Sequence, residues 1–355
     1  MFSENAIPKD VEMKIDLMVG NSTWEATASL AREVEQAGFS GLVFTETSHV
    51  PWMSIASAAM ATTKLELATG IAVAFARSPM VTAMAAWELA ENTKGRFRLG
   101  LGSQVRAHIE RRYGMPFEPP GPRLKDYVLA VKACFEAFNG GGPIDYQGKF
   151  YNLTLLPKEW TPSSHPYGSC KIDIAAVNPW MCRMAASIAD GIDVHPLHSP
   201  HYLQHHLLPL VSEATQSVGR SLQDVELIIP VFVVPGDSSA ERSELLERAR
   251  LQIAFYGSTK NYAFQFEELG YDGISAMLNE RLKAGDRTGM SKIISDGILS
   301  NFAVVGRWSE IGDLLVERYH GIASRLVIYL AEESIRKDPS SLSHWSRVVR
   351  QVTDA

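Results

Sequence analysis

Short apolar runs alternate with amphipathic stretches along most of this 355-residue chain. The apolar runs are KIDLMV (14–19), LVF (42–44), LELATGIAV (65–73), FRLGLG (97–102), KIDIAAV (171–177), IDV (192–194), VELIIPVFVV (225–234) and RLVIYL (325–330). Several are apolar at successive positions, hence on both faces, as parallel strands covered by helices must be. Helical periodicity fills the gaps. Residues 22–37 carry Leu30, Val34 and Ala37 on one stripe and stop at Gly38, a residue suited to a left-handed C′ position. Residues 79–93 and 199–218 each open with Ser-Pro, a cap followed by proline at the first helical position. Residues 309–320 open at Ser309 and bury Ile311, Leu314 and Leu315. Eight strands separated by helices predict an α/β chain folded as a closed (β/α)8 TIM barrel. An open doubly wound sheet is the alternative that the same pattern allows.

No linker rich in Pro, Gly or Ser divides the chain, so residues 1–355 read as a single domain with its barrel over about 13–331. A C-terminal helix is expected near 341–353. Two stretches exceed ordinary loop length and read as insertions after the fourth and seventh helices, 139–170 and 258–304. The first contains IDYQGKFYNL, a hairpin turning at Gln147 and Gly148.

Charge and cysteine content narrow the function. With 34 basic and 40 acidic residues the net charge is −6, against a general nucleic-acid binder. Cys134, Cys170 and Cys182 have no CxxC spacing and read as thiols of a reducing compartment. The N-terminal MFSENAIPKDVEMK lacks a basic region followed by an apolar one, and no run approaches a membrane span. A cytoplasmic protein that does not enter a membrane is expected.

In a barrel the chemistry sits at the C-terminal ends of the strands. Those ends carry no obvious carboxylate pair. They carry small residues (Gly70, Gly102, Ser103, Ala175, Ala176), which suit either a flat ligand against backbone or close barrel packing. GRFRLGLGSQVRAHIERRYG (95–114) ends a strand with two glycines, a hydroxyl and Arg106, Arg111 and Arg112. Those arginines are either a solvated face or a phosphate contact. Trp52, Phe75 and Trp180 near the rim hint at a hydrophobic substrate. HPLHSPHYLQHH (195–206) holds five of the ten histidines, with His201 and His205 on one helix face. That cluster is what a metal-dependent hydrolase would rest on, but no nearby acid completes a ligand set, so no metal is assigned.

The combination of LELATGIAVAFARSP, GRFRLGLGSQVRAHIERRYG, IAAVNPW and FAVVGRWSEI resembles the luciferase-like flavin and deazaflavin oxidoreductases, most of all the branch dependent on coenzyme F420. The resemblance implies an enzyme that transfers hydride between F420 and a small organic substrate at the barrel mouth, working as a homo-oligomer such as a dimer. An FMN-dependent monooxygenase of the same family is the alternative, and a flavin- or deazaflavin-binding protein without turnover is a further one. By the same resemblance, Gly70 and Ile71 match the family's non-proline cis peptide, which props the cofactor ring from behind. Gly102, Ser103, Gln104 and Arg106 match the strand and loop beside the cofactor and its phosphate-bearing tail. Ala175, Ala176 and Val177 match a second cofactor loop. Glu46, His49 and His195 are the implied proton-handling residues. Two departures stand out. The family's acid is often followed directly by histidine, whereas His49 comes three residues after Glu46. Val105 replaces a catalytic acid of some deazaflavin sugar dehydrogenases, so that activity is not expected.

Overall fold

The computed structural model describes residues 13–355. The stretch read for a targeting signal lies outside them apart from Met13 and Lys14. Eight parallel strands close into a barrel: β1 Lys14–Val19, β2 Gly41–Phe44, β3 Glu66–Thr69, β4 Phe97–Gly102, β5 Lys171–Ala176, β6 Gly191–Val194, β7 Glu226–Pro235 and β8 Arg325–Tyr329. Each pairs with the next, and β8 returns to β1 through Lys14↔Arg325 to Leu17↔Ile328. The fold is the closed α/β TIM barrel, not the open sheet.

Strand alternation sorts the side chains. Outward positions such as Ile15, Leu17, Leu67, Leu99, Ile174 and Ile192 pack beneath the helices in the main core. Inward positions stack in layers. The deepest is ionic. Arg98 forms a bidentate pair with Asp173 (3.0 and 2.7 Å) and meets Glu226 at 2.9 Å. Arg325 grips Asp16 (2.7 and 2.8 Å) and Glu66 (2.7 Å). Lys14 and Lys171 close the set on Glu66 and Glu226. Burial alone would raise the Glu226 carboxyl, but Arg98 and Lys171 pull it down to about 2. Above this plug lie Met18, Val43, Ala68, Ile228 and Val327.

The structure departs from the sequence pattern at three places. The apolar run 65–73 is not one strand. It stops at Thr69, passes through a cis Gly70–Ile71 peptide, and resumes as Ala72–Val73 against β4. The run 199–218 is not a uniform helix: Ser199 caps it, but Leu203–Leu207 form a π turn before Leu208–Gln216. Pro209 has no N–H to offer the His205 carbonyl, and the widened turn accommodates that loss. An added strand, Ala303–Gly306, pairs with the far half of β7, which is long enough to serve both it and β8.

The segment 258–304 is mostly helical, with Ile274–Lys283, Arg287–Ile293 and Asp296–Phe302 packing on helix Ser239–Gly257 in a second core. In 139–170, Tyr146–Gln147 pairs antiparallel with Asn152–Leu153. Helix Leu342–Thr353 buries Trp345, Val348, Val349 and Val352. Among the described residues, no helix is long and apolar enough to cross a membrane.

Candidate active site at the barrel mouth

The mouth is floored by strand ends with little or no side chain. A Cβ on Gly102 would stand 2.9 Å from the Ile71 side chain and 3.5 Å from Ala175 Cβ. So the cis peptide at the end of β3, the end of β4 and the end of β5 form one continuous surface. Beside Ala175 a cavity of about 850 Å3 extends between the loops after β4 and β5. Ser103, Gln104, Arg106, Ala175 and Val177 line it, together with residues that the sequence reading did not select: Phe117, Met181, Asn261 and Tyr262. That volume is in the usual range for a cofactor site. A separate hollow of about 630 Å3 beside the added strand shares no lining residue with it.

The loops are held in unusual ways. Gln104 is a non-glycine residue at φ 57°, and its side-chain oxygen accepts from the Val105 amide at 2.9 Å. Left-handed residues of this type concentrate at functional sites. Asn178 caps helix Pro179–Ile188 by accepting from the Met181 amide at 2.9 Å. Gly121 leaves room for Trp180: a Cβ there would lie 2.6 Å from its ring. Arg106 faces the cavity but is paired with Glu110 and Glu118 and lies over the Phe117 ring, so an anion would compete with two acids for it.

The three implied proton-handling residues are not equivalent. Glu46 is enclosed. Its side chain is 1% exposed. One oxygen accepts from the Val73 amide (2.7 Å) and Arg77 (3.0 Å), and the other is paired with the second Arg77 amino group. Arg77 in turn donates to the Val73 carbonyl at 3.2 Å. With both oxygens engaged, Glu46 is tied to the backbone after the cis peptide. His49 is exposed on a loop that Asn21 pins at Thr47 and Ser48, and Arg112 at Thr47. His195 is packed between Tyr262 (ring centroids 4.1 Å) and Tyr256 (4.7 Å). Its Nδ1 accepts from the Leu197 amide at 3.1 Å, which leaves Nε2 as the protonated nitrogen. Burial, then the neighbouring His198, hold its pKa down to about 3, so it is neutral at physiological pH and a weak base.

Ala176 and the aromatic rim residues are placed by the barrel geometry. Ala176 is 4% exposed and packs into the core under the helices, because the side chain one position after inward Ala175 must point outward. Of the three aromatic rim residues, Phe75 is core beside Phe117, and Trp52 lies between Phe97 and Arg77. Trp180 alone is substantially exposed in the cavity wall. The rings of His201, His205 and His206 cluster, yet among the described residues no three His, Cys, Asp or Glu side chains are placed to hold a metal.

Comparison with known proteins agrees with this architecture. A family model for the luciferase-like monooxygenases matches residues 11–325. An uncharacterized protein of Mycobacterium tuberculosis is 36% identical over 320 residues, covering 90% of this chain and 94% of its own. Among solved structures, the coenzyme F420-dependent tetrahydromethanopterin reductase of Methanopyrus kandleri superposes with a TM-score of 0.78 at 17% identity, over 96% of this chain and 98% of that one. An F420-dependent secondary alcohol dehydrogenase in complex with an F420-acetone adduct gives 0.72 at 13% identity, over 96% and 99%. At such identities the two structures speak to the fold. The match over residues 11–325 is what places this chain in the luciferase-like monooxygenase family.

Proposed function

We propose that this protein is an F420-dependent oxidoreductase that transfers hydride between the deazaflavin and a small organic substrate at the barrel mouth. One observation carries the reading: the cis Gly70–Ile71 peptide, Gly102 and Ala175 lie side by side at the strand ends, and Ala175 lines a cavity of cofactor size. When bound, the deazaflavin supplies the hydride chemistry. The chain's own residues bind and orient. Gly70, Ile71, Gly102 and Ala175 present a flat backing. Ser103, Gln104, Arg106 and Val177 flank the tail. Glu46 and Arg77 position the backbone behind the ring. His49, exposed at the end of β2, is the residue free to carry a proton, and neutral His195 offers a hydrogen bond through Nε2.

An FMN-dependent monooxygenase is the second reading, favoured by the family description itself. A cytoplasmic setting suits the three free cysteines. A homo-oligomer suits the exposed apolar side chains of Trp24, Met53, Met60, Val81 and Met84, carried on helices Trp24–Gln36, Pro51–Ala61 and Pro79–Asn92.

Gly102→Ala tests the floor. The added methyl would stand 2.9 Å from Ile71 Cγ1 and Cδ1 and 3.5 Å from Ala175 Cβ, so the fold is expected to lose about 1–3 kcal/mol, the usual cost of one extra methyl in a packed place. Ile71 must then shift into the ring's place. A fluorescence titration with oxidised F420 is expected to show affinity reduced about tenfold or more. Unchanged affinity in a folded variant would remove Gly102 from the site.

A further inference from the structure

Asp193 faces the barrel interior in the middle of β6, beside Ala175 in register and two positions before His195. Its carboxylate has no hydrogen bond or ion pair among the described residues, and Oδ2 is buried with no partner. The acids one layer deeper behave differently: Asp16, Glu66, Asp173 and Glu226 are each paired with an arginine. An unpaired acid in the interior is costly and calls for a purpose or a ligand.

The direction in which Asp193 opens is set by its surroundings. Asp193, Met18 and Ala68 each keep some accessible surface. Below them Asp16, Arg98, Asp173 and Arg325 are 5% exposed or less, so the plug is closed and access comes from the mouth. Gly100 shows how near the acid lies to the cofactor floor. A Cβ there would collide with the carbonyl of Thr69, the residue before the cis peptide, and would stand 2.9 Å from Asp193 Oδ2.

We propose that Asp193 is a hydrogen-bond donor at the base of the cofactor site, offering its carboxylic proton to an acceptor oxygen or nitrogen on the edge of the flat ligand seated over Ile71, Gly102 and Ala175. The proposal rests on the reading that a deazaflavin or flavin lies there. A protonated carboxyl has a donor that a carboxylate lacks. The charged and titratable groups facing it are Asp173 on β5, Arg98 on β4, Arg325 on β8, Asp16 and Glu66 across the barrel, Glu226 on β7 and His195 just past the end of its own strand. Burial, then Asp173, push the Asp193 pKa well above its ordinary value; Arg98 and Arg325 pull the other way and do not cancel the rise.

The sign of the pH effect follows. Below the raised pKa the proton is present and the donor is available. As pH rises through it, the donor becomes an anion that repels the acceptor, and affinity falls. Folding stability follows the same course: it is full below the unfolded-state pKa and is lost as pH rises through the folded one.

Asp193→Asn keeps the shape and a donor, and Asp193→Ala removes both. Infrared difference spectra of ligand-free wild type against Asp193→Asn should show a protonated carboxylic C=O band at neutral pH. Fluorescence titrations with oxidised F420 and with FMN should show wild-type affinity declining toward alkaline pH for whichever binds. Asp193→Asn should hold its affinity and flatten that decline, and Asp193→Ala should bind about tenfold more weakly at neutral pH. Absence of the carboxylic band, or an identical decline in Asp193→Asn, overturns the proposal. A wild-type protein that shows the band but binds neither compound overturns the cofactor reading and the ligand half of this proposal with it. That result is distinct from a missing band, which overturns this proposal and leaves the cofactor reading standing.

Discussion

Arg325→Met is expected to cost about 3–5 kcal/mol of folding stability, the usual penalty for breaking a buried pair from one side. Arg325 is 3% exposed and holds Asp16, 2% exposed, through two hydrogen bonds of 2.7 and 2.8 Å, and Glu66 through a third of 2.7 Å. Methionine fills the volume but leaves the Asp16 carboxylate inside the barrel with no counter-charge. Glu66 suffers less, since Lys14 still reaches it. Urea unfolding of the variant measures the loss. Adding Asp16→Leu should recover much of it, because removing both partners removes the stranded charge. A loss below about 1 kcal/mol for the single variant would mean that solvent screens the pair as it screens surface bridges.

Glu46→Gln is expected to cost about 3 kcal/mol and to weaken cofactor binding as well. The amide can still accept from the Val73 N–H, but its NH2 group then faces the Arg77 guanidinium, donor against donor. Arg77 holds the Val73 carbonyl, so the backbone immediately after Gly70–Ile71 loses its anchor together with the ion pair. Thermal melting reports the first effect and F420 titration the second. A proton-transfer role would give a different outcome: stability and affinity unchanged, with turnover alone abolished. That outcome would return Glu46 to the chemistry.

The barrel was legible because its signal is local and repeated. Each apolar run and each Ser-Pro helix start can be read within a dozen residues. The break at Gly70–Ile71 was invisible to periodicity, since LELATGIAV is apolar throughout, and only the family resemblance marked it. The added strand Ala303–Gly306 was hidden because its pairing depends on β7 outlasting its neighbours. The ionic plug was half visible. Asp16, Glu66, Arg98, Asp173 and Arg325 sit at polar positions within apolar strands, a pattern that announces inward charge but not its partners, which closure alone decides. At the site, Ser103, Gln104, Arg106, Ala175 and Val177 share one cavity, as a single loop pair would place them. Tyr262 arrives from a helical insertion far along the chain, and no spacing links it to His195. The pairing of Glu46 with Arg77 is set by how the chain turns after the cis peptide, which the sequence does not show. Asp193 looked like one more polar residue in a short strand, because being unpaired is a property of the assembled interior.

The proposed function requires the floor of Gly70, Ile71, Gly102 and Ala175 to seat a deazaflavin. Its most direct test is a paired equilibrium titration of the wild-type protein with oxidised F420 and with FMN, followed by fluorescence. Saturable F420 binding, clearly tighter than FMN binding, is expected. Preference for FMN would contradict it in favour of the monooxygenase, and binding of neither would mean that this barrel mouth serves another ligand.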